Sequence, residues 1–506
     1  MIITSRARRV ALAALTAAAL TAGLGGCGKG GDAAPAAEAR AGVDWRACGL
    51  PGQPARQCGT VEVPWDAERP DGPKVSLAVT RLPASDTARR IGALMWNPGG
   101  PGIGGRYVPA ALLPPELAAR FDLIGFDTRG TLDSGVLAEC GEAEGAVGRL
   151  AEAEDLGKGV DKAAVDRDAR AYVKTCAGKL GGDTRAGHLG SRDTARDMDA
   201  IRAALGEDRI SLLMGSYGTV YAQAYLAAHP DRVRAAVLDS TLDPSISGVR
   251  AALDSSGTDE DVAVGGRDPR TAARDQLRGL LSGYVPWCRS DQAACPSAAD
   301  PLAPALAAAG LDTGTGAPDD ARVKAVTAAA QAAALVPDRW PALAKAFQSA
   351  PQDDLAAVRK LGEQGPPKEI GNPYPSTLDL GYNLGVYCAD FAWASSPAGV
   401  LDDFARADAA SGPNASSYVS CGAWPRPQQP LGAAHSGKAP KPLVLNADDD
   451  PRTGLAGARA VAERLGGALV HYPGRSHIGT TSGIECAQKA AVAYLVSGST
   501  KDLPGC

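Results

Sequence analysis

The segment 209–219, Arg-Ile-Ser-Leu-Leu-Met-Gly-Ser-Tyr-Gly-Thr, constrains the fold of this 506-residue chain more than any other stretch. Residues 210–214 form an apolar run that is too short for a helix and therefore predicts a buried strand. The turn 215–218 interrupts this run, and residues 220–228 continue with helical periodicity. A strand, a sharp glycine-flanked turn and a helix together predict a nucleophile elbow, in which the turn raises the hydroxyl of Ser216 above the edge of a sheet.

The turn departs from the usual elbow pattern at one position. In G-x-S-x-G a glycine stands two residues before the serine, but this chain has Met214 there, and only Gly218 fits. On this pattern alone, a serine in an ordinary strand-to-helix turn explains the segment equally well. The rest of the chain has to decide between the two interpretations.

Short apolar segments alternate with helical patterns along much of the chain, and residues 48–64 are interpreted as a lead-in to them. They predict strands at 75–82, 91–96, 121–126, 210–214, 233–238, 442–447 and 468–472. Such alternation predicts a parallel α/β sheet with its site at the carboxyl ends of the strands. A mostly helical stretch interrupts this pattern, so we expect a helical cap, 246–435, inserted between two parts of the sheet domain, 43–245 and 436–506.

The first 26 residues have the composition of an export signal. Three arginines within the first nine residues precede an apolar, alanine-rich stretch that ends in Leu24-Gly-Gly-Cys27. This pattern predicts a lipoprotein signal peptide, 1–26, a lipidated Cys27 and a flexible tether, 27–42. We therefore expect an exported protein, held on the extracytoplasmic face of the cell membrane by a lipid anchor. Simple secretion after cleavage nearby is the alternative.

Apart from Cys27, the chain has ten cysteines, an even number with no C-x-x-C motif, and only five histidines. Irregular spacing of this kind argues against a metal site and, in an exported chain, indicates disulfides. The simplest pairing joins neighbours, and other connectivities remain open; it gives Cys48–Cys58, Cys140–Cys176, Cys288–Cys295, Cys388–Cys421 and Cys486–Cys506. No cofactor is expected. The formal net charge of −5 and the lack of a basic cluster after the signal argue against a nucleic-acid partner, and we expect a monomer.

Two segments that follow C-terminal strands supply the partners that a nucleophilic serine needs. A serine attacks only when an imidazole accepts its proton and a carboxylate orients that imidazole. In this type of sheet the order along the chain is serine, acid, histidine. We expect Asp450, just before a proline, to be the acid, with Asp448 and Asp449 as alternatives. His477 is the expected base because it follows a strand, unlike the other four histidines.

The loop Asn97-Pro-Gly-Gly-Pro-Gly102 follows the predicted strand 91–96 and has almost no side chains. An oxyanion needs two N–H donors that are fixed in advance. The backbone of Tyr217 is expected to provide one donor. Because Pro98 and Pro101 have no N–H, the loop is expected to provide the other donor from Gly99 or Gly100. Gly100 is the preferred candidate.

Several motifs resemble one known family when taken together. They are Asn97-Pro-Gly-Gly-Pro-Gly102, Gly125-Phe-Asp-Thr-Arg-Gly-Thr131, Gly215-Ser-Tyr-Gly-Thr219, Asp450-Pro-Arg-Thr453 and Gly474-Arg-Ser-His477. With the cysteine layout, they resemble the secreted tripeptidyl aminopeptidases of actinomycetes, which belong to the α/β-hydrolase group related to prolyl aminopeptidase. The resemblance implies an α/β-hydrolase fold with a mostly parallel sheet and an inserted helical cap domain. It also implies a serine exopeptidase that releases short peptides, often tripeptides, from free N-termini, with Ser216, Asp450 and His477 as its triad.

The substrate is less constrained than the triad. Binding the free ammonium of a peptide requires an acidic side chain facing the cleft, and we name Asp390, in the cap-like motif Cys388-Ala-Asp390, as the candidate. A solvated acid beside a disulfide is an equal alternative. A carboxylesterase of the same fold uses the same triad and remains an alternative function. A catalytically inactive surface binding protein is a third, for which Met214 is the only argument.

Overall fold

The protein is described here by a computed structural model. Its described residues are 42–48 and 56–506, apart from 107, 109, 111, 136–139, 141–142, 154, 256–273, 275–276, 278–280, 282–283, 291–292, 296, 298, 313–318, 334–338, 365–379, 408–411, 426–429, 433–436, 451 and 475. They fall within one compact unit, 41–506. The signal peptide 1–26, Cys27 and the tether up to residue 41, all predicted from the sequence, lie outside the described residues.

Nine strands form one sheet in the order β1-β2-β3-β5-β4-β6-β7-β8-β9. Their bounds are β1 Arg46–Ala47, β2 Gln57–Pro64, β3 Lys74–Leu82, β4 Gly92–Asn97, β5 Phe121–Phe126, β6 Ile210–Gly215, β7 Val233–Asp239, β8 Leu443–Ala447 and β9 Ala468–Tyr472. The pairs among β4 to β9 are parallel, and the pairs that involve β1, β2 or β3 are antiparallel. The predicted mostly parallel sheet is therefore confirmed. The lead-in 48–64 contains β2, which pairs with β1 and β3 and which the sequence analysis did not predict.

Helices surround the sheet on both faces. Their bounds are α1 Pro115–Arg120, α2 Gly145–Gly148, α3 Lys162–Lys179, α4 Asp183–Ala186, α5 Ser191–Ala204, α6 Gly218–Ala228, α7 Gly248–Ser255, α8 Tyr284–Ser290, α9 Ala303–Ala308, α10 Asp320–Ala333, α11 Trp340–Asp353, α12 Ala356–Glu363, α13 Leu380–Asp390, α14 Pro397–Ala407, α15 Gly412–Tyr418, α16 Leu455–Leu465 and α17 Glu485–Ser497. Short 3₁₀ helices lie at Thr87–Arg89, Leu132–Ser134, Arg149–Glu152, Pro230–Arg232 and Val419–Ala423.

Alternate residues of the central strands bury against different helices, as the period of two along a strand requires. Met95 and Leu212 pack in a cluster with residues of α5 and α6, including Met198 and Tyr221. Their neighbours Leu94 and Leu213 pack in a second cluster with residues of α17. The apolar runs of β4 and β6 therefore bury both faces, which is what a strand inside a parallel sheet needs.

The described elements between β7 and β8 are the helices α7 to α15 and the last 3₁₀ helix. Helices α8 to α12 share an apolar cluster of their own, which extends from Leu277 to Leu361. This agrees in character with an inserted cap, although its boundaries, 246–435, stay a prediction.

The structure contains the same five cysteine pairs that neighbour pairing gives, and they include Cys388–Cys421 at the end of α13. Disulfides are typical of extracytoplasmic proteins. Within the described part of the chain, no helix combines the length and apolar character needed to cross a bilayer. Lipid anchoring at Cys27 remains a prediction.

A buried ion pair ties the loop after β5 to α5, and we expect its loss to be costly. Arg129 forms hydrogen bonds of 2.6 and 2.8 Å with Asp197, and both side chains are at most 3% exposed. Replacing Arg129 with alanine leaves a buried carboxylate uncompensated, so the free energy of unfolding should fall by about 3–5 kcal/mol. Urea unfolding followed by circular dichroism measures this. Arg170→Ala is the control because Arg170 pairs with Asp166 on an exposed helix face, and an equal loss in both variants would contradict the prediction.

Candidate active site

Ser216 lies at the turn between β6 and α6 with a φ of +52°. Residues other than glycine rarely adopt this left-handed conformation, so the surrounding structure must hold it in place. The Ser216 amide donates to the carbonyl of Asp239 at 2.9 Å, and the Ser216 carbonyl accepts from the Thr219 amide at 2.9 Å. All other residues from 210 to 226 are buried, whereas Ser216 is partly exposed. The turn therefore presents this serine at the surface of the site, as expected of a nucleophile elbow.

The geometry also explains how the elbow tolerates Met214. A Cβ on Gly215 would lie 2.8 Å from Ile478 Cδ1, and a Cβ on Gly218 would lie 2.7 Å from the carbonyl oxygen of Asn97. The backbone contact excludes a larger residue at Gly218, and a larger residue at Gly215 would require the Ile478 side chain to move. The Met214 side chain packs into the apolar cluster beside α5 and α6. The sequence analysis did not anticipate that Gly215, and not a glycine at position 214, makes the close contact with Ile478.

The structure brings His477 and Asp450 together. Nδ1 of His477 lies 2.9 and 3.1 Å from the two oxygens of Asp450, whose side chain is fully buried. Oδ1 of Asp450 also accepts from the amides of Arg452 and Thr453 at 2.9 and 3.0 Å. Pro451, which supported the choice of this acid, lies outside the described residues. These bonds fix the carboxylate in an orientation that directs it at the imidazole.

The charge state of Asp450 suits this role. Burial by itself raises the pKa of the carboxyl, but the charge and hydrogen bond of His477, together with the Arg452 amide, outweigh that effect and hold the pKa below its usual value. Asp450 is therefore ionised near neutral pH. The alternatives Asp448 and Asp449 are exposed, and Asp448 instead contacts His471 at 2.6 Å.

The end of β7 holds both the serine turn and the histidine loop. Asp239 accepts from the amides of Gly479 and Thr480 at 3.1 and 2.8 Å, while its carbonyl accepts from Ser216. Oγ of Ser240 accepts from the amide of Ile478 at 2.7 Å. The sequence analysis did not name Asp239 or Ser240, although polar residues at a strand end were the available signal.

The glycine loop after β4 lies against the elbow. A Cβ on Gly99 would lie 2.5 Å from the backbone nitrogen of Tyr217, so the two segments are in close contact. The Gly99 amide donates to Oδ1 of Asn97 at 2.8 Å. Because that amide is already engaged, Gly100 is the better candidate for the second oxyanion donor. Both glycines have positive φ angles, +93° and +108°, which glycine adopts without strain.

Asp390 is not placed where direct contact with a substrate ammonium would require it. The residue is 1% exposed, and its oxygens accept from the amide and hydroxyl of Ser191 and from the hydroxyl of Tyr217. Burial raises its pKa to about 6, although these hydrogen bonds lower it. The expectation of a substrate-binding acid, and its alternative of a solvated acid, both need correction. Asp390 lies behind the elbow, where its carboxylate accepts hydrogen bonds from Ser191 of α5 and from Tyr217, the residue before α6.

The family model described as the alpha/beta hydrolase fold matches residues 92–479, which is more than half of the chain. The chain belongs to the α/β-hydrolase family. The match includes the elbow, the glycine loop and the loops that carry Asp450 and His477.

Three known proteins are similar to this chain over most of its length. Serine protease Hip1 of Mycobacterium tuberculosis is 30% identical over 498 residues, which span 90% of this chain and 89% of the relative. Tripeptidyl aminopeptidase of Streptomyces coelicolor is 29% identical, over 93% of this chain and 87% of the relative. Carboxylesterase B of Mycobacterium tuberculosis is 29% identical, over 88% and 84%. These relatives and the fold support a serine hydrolase.

Proposed function

We propose that this protein is an extracytoplasmic serine exopeptidase that releases short peptides, tripeptides in particular, from free N-termini. The observation that carries the proposal is the hydrogen bond between the buried Asp450 and the partly buried His477. The loop of His477 and the turn of the partly exposed, strained Ser216 are both held by Asp239 at the end of β7. Similarity to a tripeptidyl aminopeptidase over 93% of the chain supports the substrate class. Ser216, Asp450 and His477 are the proposed catalytic residues, and short peptides are the proposed partners of a monomeric enzyme.

The proposed reaction follows from the arrangement of these groups. Oγ of Ser216 attacks the carbonyl carbon of the scissile bond while His477 accepts its proton, and Asp450 stabilises the imidazolium that forms. The N–H groups of Tyr217 and Gly100 donate to the oxyanion. His477 then protonates the leaving amine, which releases the shortened peptide and leaves the N-terminal fragment as an ester on Ser216. Water, deprotonated by His477, hydrolyses this ester and frees the short peptide.

A carboxylesterase is the second candidate because the same groups cleave esters and a relative of that name is 29% identical over 88% of the chain. Met214, the only argument for an inactive binding protein, packs in the core without removing the strained φ of Ser216. An inactive protein therefore has little support, and the experiment below includes it as an outcome.

The test compares four substrates on the purified mature protein, each with Ser216→Ala as the blank. An Ala-Pro-Ala p-nitroanilide with a free N-terminus should be cleaved, and its N-acetylated form should be cleaved far more slowly. A single-residue alanine p-nitroanilide tests the length of the released fragment, and a p-nitrophenyl acyl ester tests esterase activity. Ester turnover without peptide cleavage would assign a carboxylesterase, and no turnover of any substrate would favour the inactive protein.

A further inference from the structure

Helix α13 belongs to the segment between β7 and β8, yet it contacts both segments that carry the proposed oxyanion donors. At its C-terminal end, Oδ2 of Asp390 accepts from the hydroxyl of Tyr217 at 2.9 Å. Near its N-terminal end, Nδ2 of Asn383 donates to the carbonyl of Pro101 at 3.2 Å. A single helix therefore spans from the elbow to the glycine loop.

Asp390 connects α13 to the start of α5 and to Tyr217, the residue before α6. Oδ1 of Asp390 accepts from the amide of Ser191 at 2.7 Å, at the start of α5, and Oδ2 accepts from the Ser191 hydroxyl. The Tyr217 ring is buried and packs on Tyr387 of α13, with ring centroids 5.1 Å apart. The Tyr217 side chain is thus fixed at its ring and at its hydroxyl. Because the same residue carries a proposed oxyanion donor on its backbone, fixing the side chain restricts the orientation of that N–H group.

The contact at Asn383 restrains the other proposed donor. The Pro101 carbonyl that accepts from Asn383 lies one residue after Gly100. The amide oxygen of Asn383 in turn accepts from the hydroxyl of Tyr418 at 3.3 Å. The next residue of the loop, Gly102, is close to the ring of Tyr382, since a Cβ there would lie 3.1 Å from Cδ1. The loop is therefore held against α13 by one hydrogen bond and one close contact.

We infer that Asp390 and Asn383 are positioning residues, which hold the Tyr217 and Gly100 N–H groups at the spacing that the oxyanion requires. The inference rests on the proposed function, which assigns those two donors. Neither residue needs to touch the substrate, and both act through the backbone segments they hold. This role also explains why a carboxylate is buried under the elbow, where an unpaired acid would be costly.

An effect on oxyanion geometry has a distinct kinetic signature. The oxyanion exists only in the transition state and the tetrahedral intermediate, so misplaced donors lower kcat and leave KM nearly unchanged. Loss of a whole oxyanion donor costs about 100- to 1000-fold in kcat. Loosening a donor that remains present should cost less, and we expect about a tenfold decrease for loss of either positioning contact.

The test uses Tyr217→Phe, Asp390→Asn and the double variant of the mature protein, with Tyr225→Phe as a matched control. Tyr217→Phe keeps the ring and the backbone N–H and removes only the hydroxyl. Tyr225 lies in α6, the helix that Tyr217 immediately precedes, and its hydroxyl donates to another aspartate, Asp199, at 3.1 Å. The control therefore removes a comparable Tyr–Asp hydrogen bond away from the site. Asn383→Leu tests the second contact.

We expect Tyr217→Phe to lower kcat about tenfold at nearly constant KM, while Tyr225→Phe changes neither. The kcat of the double variant should be no lower than that of the slower single variant, because both changes remove the same hydrogen bond between Tyr217 and Asp390. Equal kcat values for Tyr217→Phe and Tyr225→Phe, or a change confined to KM, would overturn the inference. If Asp390→Asn does not fold, Tyr217→Phe still tests the contact at Asp390. Asn383→Leu should lower kcat by about tenfold at nearly constant KM, and an unchanged kcat would overturn the role of Asn383. A parent protein with no Ser216-dependent turnover would instead refute the proposed function, so the two failures are distinguishable.

Discussion

Replacing Ser216 with alanine is expected to lower kcat for the free tripeptidyl substrate by about a millionfold, the scale seen when the serine of a catalytic triad is removed. The alanine lacks the oxygen that forms the acyl-enzyme, so the remaining groups can only bind the substrate and polarise its carbonyl. The φ of +52° at this position is no more favourable for alanine than for serine, so the elbow should remain strained. The loss is measured by the release of p-nitroaniline, with long incubations for the Ser216→Ala variant.

Ser497→Ala is the matched control for this loss. Ser497 is exposed at the end of α17, and its hydroxyl donates to the carbonyl of Ala493. The substitution is chemically identical to that at Ser216 and lies outside the proposed site. It should leave kcat unchanged, and both variants should unfold at temperatures close to that of the parent protein. Appreciable turnover by a folded Ser216→Ala variant would show that another group is the nucleophile.

Asp450→Asn is expected to lower kcat by about 10⁴-fold, as the equivalent change does in a serine protease triad. The carboxylate accepts a hydrogen bond from Nδ1–H of His477 at 2.9 Å and so keeps Nε2 free to act as a base. An asparagine side chain can donate to Nδ1, which favours the tautomer with its proton on Nε2 and removes the base. The backbone amides of Arg452 and Thr453 can still donate to the remaining amide oxygen, so the loop should keep its position.

The neighbouring acids provide controls within the same loop. Asp448→Asn and Asp449→Asn make the same chemical change at exposed positions, one of them in contact with His471. Both should retain most of the parent activity when kcat is measured on the free tripeptidyl substrate. A large loss in Asp448→Asn with little loss in Asp450→Asn would transfer the acid's role to Asp448 and contradict the proposed triad.

The central sheet could be predicted because strands that are buried on both faces have short, continuous apolar sequences. The runs at 442–447 and 468–472 correspond to β8 and β9, which end where the loops carrying Asp450 and His477 begin. His477 was selected over the other four histidines because it follows a strand in that order, whereas His471 lies within one. Strand β2 was not predicted because most of its residues are half-exposed or exposed and show no continuous apolar run.

The residues that hold the site together could not be predicted in the same way. Asp239 and Ser240 accept hydrogen bonds from residues more than 200 positions away in the sequence. No local sequence pattern predicts such contacts. Asp390 was interpreted as an acid that faces the cleft because a sequence does not reveal which side of a helix is covered by another element. Its burial follows from α13 packing on Tyr217, a tertiary contact. The close contact that Gly215 makes beside Met214 could not be predicted either, because it depends on the position of Ile478.

The most direct test of the proposed chemistry is to locate the covalent adduct formed by a fluorophosphonate on the purified mature protein, by peptide mapping and mass spectrometry. An accessible serine activated by His477 and Asp450 predicts one adduct per chain, on the peptide that contains Ser216, and none on Ser216→Ala. An adduct on a different residue, or no adduct on the folded protein, would contradict the assignment of Ser216 as the nucleophile.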